Sequence, residues 1–219
     1  MQFLTLDGKG IASALALALL ILYFGKEYGV FFLSLLLLFL ALSAIVTNVG
    51  KNKKRSLGLY EKSRGWKNVL ANGLAPLLIA ILFYFEPGFK MQLALAYVAS
   101  VAAITADKFA SEIGVLDGTP IMLLTMKRVD RGVSGAVTLL GLAASSFASF
   151  GIALASFFIT LSLEAFAIVF VSGYMGNIVD SLLGYYEEKG IGNKFTTNLA
   201  CALSGSLFAL LFLALAGLM

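Results

Sequence analysis

The chain has 219 residues, of which 60% are hydrophobic and 13% charged, with a formal net charge of +4. A soluble domain carries roughly 45–50% apolar and about 25% charged residues, so this composition excludes a water-soluble globule. The absence of histidine excludes His general bases, Ser-His-Asp relays and His metal ligands; a single cysteine, Cys201, excludes intrachain disulfides and Cys-cluster metal sites.

Seven apolar stretches follow one another near Gly10–Gly25, Tyr28–Gly50, Val69–Phe85, Met91–Gly114, Gly135–Leu161, Ala165–Tyr186 and Phe195–Met219. Stretches of about 17–25 residues cross the hydrocarbon core as helices, which satisfy their own backbone hydrogen bonds. The first stretch has the length of a secretory signal, but its Tyr23-Phe24-Gly25 exit lacks small-residue cleavage chemistry, so it is expected to stay as a membrane helix. The expected fold is all-α, a polytopic transmembrane bundle of about seven helices forming one integral membrane domain over residues 1–219.

The segments between the stretches alternate in charge. Loop 51–67 holds seven cations, from Lys51 through Arg64 and Lys67, against one acid, Glu61. Lys127, Arg128 and Arg131 lie in loop 115–134, Lys189 and Lys194 in loop 187–194, and Lys9 precedes the first stretch. If seven helices alternate, all of these fall on one side, with Lys26 and Lys90 on the other. The positive-inside rule then makes the N-terminus and the three basic loops cytoplasmic in a multi-pass protein of the cell membrane.

That topology brings the polar residues of six helices to one leaflet. Thr47 and Asn48 end the second stretch, and Asn68 and Asn72 open the third. The fourth ends with Asp107, Lys108, Ser111 and Glu112, and Ser134 and Thr138 open the fifth. Asn177, Asp180 and Ser181 lie late in the sixth, and Thr196, Thr197, Asn198 and Ser204 begin the seventh. A carboxylate near a helix centre costs about 2.5–3.5 kcal/mol on insertion scales, so Asp107, Glu112 and Asp180 need cations, a metal or a water-filled cleft. For Glu112 a pair with Lys108, four residues away, is one alternative. Asp107 and Asp180 have no intrahelical cation suitably spaced on the apolar side, which points to function.

At about 100° per residue, Asp107, Ala110, Ser111 and Gly114 share one helix face, as do Asn177, Asp180, Ser181 and Gly184. The two segments echo each other as Asp-x-x-Ala-Ser-x-x-Gly and Asn-x-x-Asp-Ser-x-x-Gly, which hints at an internal duplication. Small residues at Ala110, Ser111, Gly173, Gly176 and Gly184 would let these helices approach closely. Two acidic faces meeting around a divalent cation follow, and with oxygen ligands alone magnesium is the natural ion. The loop Pro120–Gly135 adds Lys127, Arg128 and Arg131 ahead of Gly132-Val133-Ser134-Gly135, which is expected to open the fifth helix. Exposed glycine N–H groups and a helix N-terminus favour phosphate. No P-loop sequence occurs. Loop 51–67 suits either anionic lipid headgroups or a bound phosphate, and Trp66 suits an interfacial anchor.

Four stretches resemble a known family. They are Arg64-x-Trp66-x-x-Val69-x-x-Asn72-Gly73-x-x-Pro76, Ala106-Asp107-x-x-Ala110-Ser111-Glu112-Ile113-Gly114, Gly132-x-x-Gly135-x-Val137-Thr138-x-x-Gly141 and Gly176-Asn177-x-x-Asp180-Ser181-x-x-Gly184. In this order and spacing they resemble the integral-membrane family that includes plant phytyl-phosphate kinase. The second is also similar to the nucleotide-binding motif of CTP-dependent dolichol and phytol kinases and of CDP-diacylglycerol synthases. Lys108 departs from the small polar residue common in the family.

The resemblance implies nucleotide-dependent phosphorylation of a prenyl monophosphate, phytyl or geranylgeranyl phosphate, to its diphosphate, with CTP as donor and Mg2+ as cofactor. In that reading Asp107 and Asp180 hold magnesium with Glu112 as third ligand, and Asn177 orients a ligand or water. Ser111, Lys127, Arg128, Gly132 and Gly135 bind the nucleotide, while Asn72, Arg64 and Lys67 meet the lipid phosphate. The partners are then a nucleotide, a prenyl-phosphate lipid and the membrane, with no nucleic acid. A prenol kinase, a CDP-lipid cytidylyltransferase and a transporter are the alternatives.

Overall fold

Six helices among the described residues are long and apolar enough to cross a membrane, and a shorter apolar one precedes them. The computed structural model describes residues 6–60 and 65–218. The chain runs through α1 (Gly8–Phe24), α2 (Gly29–Asn48), the short α3 (Lys51–Ser56), α4 (Trp66–Phe85) and α5 (Lys90–Gly114). It continues through β1 (Ile121–Met122), β2 (Lys127–Arg128), β3 (Ala136–Val137), α6 (Leu139–Ala153), α7 (Leu163–Glu187) and α8 (Lys194–Leu215).

Helix α5 is the axis. Within its apolar window 83% of residues are buried, against 28–50% in the other five long helices, and it packs on α2, α4, α6, α7 and α8. Its sequence explains this: from Leu93 to Ala106 every residue is buried, with alanines repeating on several faces, and a helix apolar all round belongs inside. Glycines on the neighbours meet those alanines. A Cβ at Gly173 would lie 2.5 Å from the Cβ of Ala102, and one at Gly176 would lie 2.6 Å from that of Ala103 and 2.8 Å from the Cys201 carbonyl. Without Cβ atoms there, α7 and α8 close onto α5 backbone to backbone, the membrane mode of helix packing. At the other end of α5, Tyr97 stacks on Phe32 with centroids 4.0 Å apart and donates its hydroxyl to the Phe32 carbonyl at 3.0 Å.

The polar ends meet at one end of the bundle. Thr47 on α2 and Lys54 on α3 both reach Glu112 on α5, and Gly50, at φ 63°, turns the chain between α2 and α3 over Leu116. Thr138 opens α6 beside α5, accepting from Gly141 N–H at 3.0 Å and donating to the Gly114 carbonyl at 3.4 Å.

Three boundaries differ from the sequence expectation. The apolar pattern predicts helix from Gly135, but Gly135 has φ 77° and Ala136–Val137 pair as β3, so the helix starts at Leu139 behind its Thr138 cap. The connection expected as plain loop carries a small antiparallel sheet of order β2-β1-β3. Helix α3 is basic and carries no apolar period, so periodicity could not reveal it.

Candidate functional site

A cavity of about 260 Å³ lies where α5, α6, α7 and α8 converge. The end of α5 lines it with Asp107, Ala110, Ser111 and Gly114, and α7 with Asn177, Asp180 and Ser181. The first turns of α6 and α8 contribute Thr138, Gly141, Lys194, Thr197 and Asn198, and the chain from Arg131 to Val137 closes the rim. The first expected face, and Asn177, Asp180 and Ser181 of the second, therefore look into one space, while Gly184 packs against Gly135 instead.

Asp107 and Asp180 lie 73 positions apart in the sequence, yet their carboxyl groups come within hydrogen-bonding reach of each other. Lys194 and Glu187 are close enough to act electrostatically on Asp180. Asp180 Oδ1 is buried without a hydrogen-bond partner among the described residues, and so are both Oδ1 and Nδ2 of Asn177, a side chain 1% exposed. Buried polar groups are normally bonded, so these three atoms, on two residues one helical turn apart, are open to water or a ligand at the cavity. The lining holds four carboxylates, Asp107, Asp180, Glu187 and Glu188, against two cations, Arg131 and Lys194. That excess of negative charge attracts a cation.

The rim is tied to α7. The carboxylate of Glu188 accepts the Ser134 N–H at 2.7 Å, while Glu187 accepts the hydroxyls of Ser134 and of Thr197 on α8, each at 3.1 Å. A Cβ on Gly184 would lie 2.3 Å from the Gly135 nitrogen, so only glycine lets the rim sit this low on the helix.

The sequence-predicted residues divide cleanly. Asp107, Asp180, Asn177, Ser111, Gly132 and Gly135 all line the cavity. Glu112 does not, which corrects its place as third metal ligand. It accepts from Lys54 Nζ at 2.6 Å, from Thr47 Oγ1 at 2.9 Å and from Lys108, so its oxygens are saturated away from the cavity. Lys108 is thereby drawn to Glu112. Lys127 and Arg128 are exposed on the edge strand β2 and do not line the cavity either, contrary to their expected nucleotide role. Asn72 donates to the Asn68 carbonyl at 2.8 Å and lines a separate apolar groove among α1, α2 and α4, not a phosphate site beside the aspartates. Lys67 stands over the ring of Trp66 on the first turn of α4, and Arg64 lies outside the described residues.

Sequence reasoning did not assign Arg131, Lys194, Thr197, Asn198, Glu187 and Glu188 to the site. The signal for the α8 residues was the polar start of the last apolar stretch, where Asn193 and Thr196 form a capping box. For Arg131 the signal was its position next to Gly132.

A divalent cation fits the donor set in a reduced form. Among the described residues no cluster of three or more acidic or thiol side chains is placed to hold a metal. Magnesium needs fewer, since it keeps several waters and takes one or two carboxylates. Asp107 and Asp180, with the Asn177 amide oxygen one turn away, are the residues that would hold such an ion.

The chain is 36% identical to an uncharacterized membrane protein of Methanocaldococcus jannaschii over 208 residues, covering 94% of this chain and 85% of the relative. It is 31% identical to Protein PGR of Arabidopsis thaliana over 73% of the chain, and 28% identical to Protein VTE6, chloroplastic, of the same plant over 88%. The aligned region spans 64% and 60% of those two plant proteins, less than two thirds of either. No solved structure matches. The family described as integral membrane protein DUF92 matches residues 1–213, and the chain belongs to that family of multi-pass membrane proteins.

Proposed function

We propose that the protein is a prenyl-phosphate kinase that transfers a phosphoryl group from a nucleotide, with CTP as the expected donor, to a prenyl monophosphate at the cytoplasmic face of the membrane. The observation that carries this reading is the Asp107–Asp180 pair, with the unpartnered atoms of Asp180 and Asn177 beside it, on a cavity edged by Arg131 and Lys194. The family resemblance supplies the substrate class.

Asp107 and Asp180 would hold the magnesium, with Asn177 bonding a phosphate oxygen or a metal-bound water. The ion, when bound, neutralises charge on the donor's phosphates. Arg131 and Lys194 bind the polyphosphate from the rim, and the N-termini of α6 and α8 direct their positive dipole ends at the same space. The acceptor is already an anion, so no general base has to remove a proton from it. Positioning and charge neutralisation then supply most of the rate, which suits a protein without histidine.

The test is an assay of purified protein in detergent with magnesium, each of the four nucleoside triphosphates and a panel of isoprenyl monophosphates, the products resolved by thin-layer chromatography. The expected products are a prenyl diphosphate and a nucleoside diphosphate. Release of pyrophosphate with a nucleotidyl lipid would instead identify a cytidylyltransferase, and flux into proteoliposomes without nucleotide would identify a transporter.

A further inference from the structure

A second hollow, of about 390 Å³, adjoins the aspartate cavity and shares two wall residues with it, Pro120 and Arg131. Its other walls are Leu57 and Leu59, from the chain after α3, and Gly118, Thr119, Val129 and Asp130, which flank the small sheet. All of these lie between the membrane-crossing helices, outside every span. Apolar leucine, proline and valine surface outside the spans, continuous through Arg131 with the aspartate cavity, suits a compact ring better than a long acyl chain. The site needs an occupant with apolar faces, polar edges and a polyanionic tail pointing toward Arg131.

A nucleoside polyphosphate has that chemistry. We infer that the second hollow binds the nucleoside of the phosphoryl donor, so that its phosphate chain passes Arg131 into the aspartate cavity. This rests on the kinase reading and assigns it a second half-site. Nε of Arg131 donates to the Gly118 carbonyl at 3.0 Å, which fixes the guanidinium plane at the junction of the two spaces. A planar fork held there bonds consecutive phosphate oxygens from one side. Leu57, Leu59 and Val129 offer apolar contact for the base, and the exposed carboxylate of Asp130 accepts from ribose hydroxyls or an exocyclic amine. Gly132, at φ 87°, lines the aspartate cavity and packs against Leu59 of the second hollow, where a Cβ would lie 2.5 Å from the leucine side chain.

Equilibrium binding of CTP and of inorganic tripolyphosphate to the purified full chain, with magnesium, separates the two half-sites. Leu57→Ala and Asp130→Ala should each weaken CTP about tenfold, the loss of one hydrogen bond or one apolar contact, while tripolyphosphate binds no more weakly than to wild type. Arg131→Gln should weaken both ligands. Wild-type CTP affinity in both the Leu57 and Asp130 variants, with wild-type protein binding and turning over CTP, overturns the nucleoside half-site and leaves the kinase reading standing. Failure of the wild-type protein to bind any nucleoside triphosphate overturns both. Thermal melting of each variant in detergent, unchanged from wild type, shows that lost affinity is not lost fold.

Discussion

The last two turns of α5 carry two acids that meet opposite fates. Glu112 is saturated: Lys54, itself fully buried, Lys108 and Thr47 all donate to it, and it lies outside the cavity. Asp107, five residues earlier, faces Asp180 across a cavity floor where buried polar atoms of Asp180 and Asn177 have no partner among the described residues. One acid joins α2, α3 and α5 into a single corner. The other is half of the aspartate pair on which the proposed site is built. Charge near the membrane is costly at both positions, so what separates structure from site is whether the protein itself completes the coordination.

Breaking that contrast on the cavity side gives the largest effect. Asp107→Asn and Asp180→Asn should each lower phosphoryl transfer by about 100-fold or more, the scale set by losing one charge-stabilising group. Mn2+ binding followed by electron paramagnetic resonance should weaken in parallel, while the melting temperature in detergent stays near wild type. Full turnover in both variants would remove the aspartate pair from the chemistry.

Breaking it on the other side reverses the pattern. Glu112→Gln leaves the buried Lys54 ammonium without its counter-charge, which costs about 3–5 kcal/mol. The expected readout is a clearly lower melting temperature, with near-normal kcat in the protein that remains folded. The variant combining Lys54→Met and Lys108→Met with Glu112→Leu should recover much of that loss, since apolar residues of similar volume often match a buried ionic triad. A combined variant no more stable than Glu112→Gln would mean that the corner needs its charges for more than mutual neutralisation.

Much of this was legible in the residues. Asp107 with Ser111, and Asn177 with Asp180, lie at helical spacings that place each pair on one face, and both faces line the cavity. The separation of Glu112 was legible too: five residues at about 100° each place it about 140° around the helix from Asp107. Lys54 was not, because it lies 58 positions away and reaches Glu112 through the left-handed turn at Gly50. The sheet was not, because strands of two residues carry no period. Lys127 and Arg128 looked equivalent to Arg131 along the chain, but pairing of β2 with β1 holds them on an outer edge, whereas Arg131 sits at the cavity wall.

The rim offers a subtler test of how tightly the cavity side is built. Gly184→Ala puts a methyl where the Gly135 nitrogen would lie 2.3 Å away, so the Gly132–Gly135 rim must lift from α7. The hydrogen bonds from Ser134 to Glu187 and Glu188 would lengthen with it. On the kinase reading a displaced rim would misalign the donor phosphates, and an approximately tenfold rise in nucleotide Michaelis constant is expected, with membrane insertion unaffected.

The smallest expected effect is the one that separates the two sets of cations. Lys127 is exposed, lies on the outermost strand and is not part of either wall of the cavity. An exposed charge interacts with a bound polyanion through water and salt, where separation beyond a Debye length screens it strongly. Lys127→Gln should therefore change the nucleotide Michaelis constant by less than about twofold at physiological salt, and any change should fade as salt is raised. Arg131→Gln should raise the same constant at every salt concentration, because its guanidinium is anchored to Gly118 at the wall itself. An equal, salt-independent loss in both variants would mean that the hairpin folds over the bound nucleotide, bringing β2 into a site from which the present geometry excludes it.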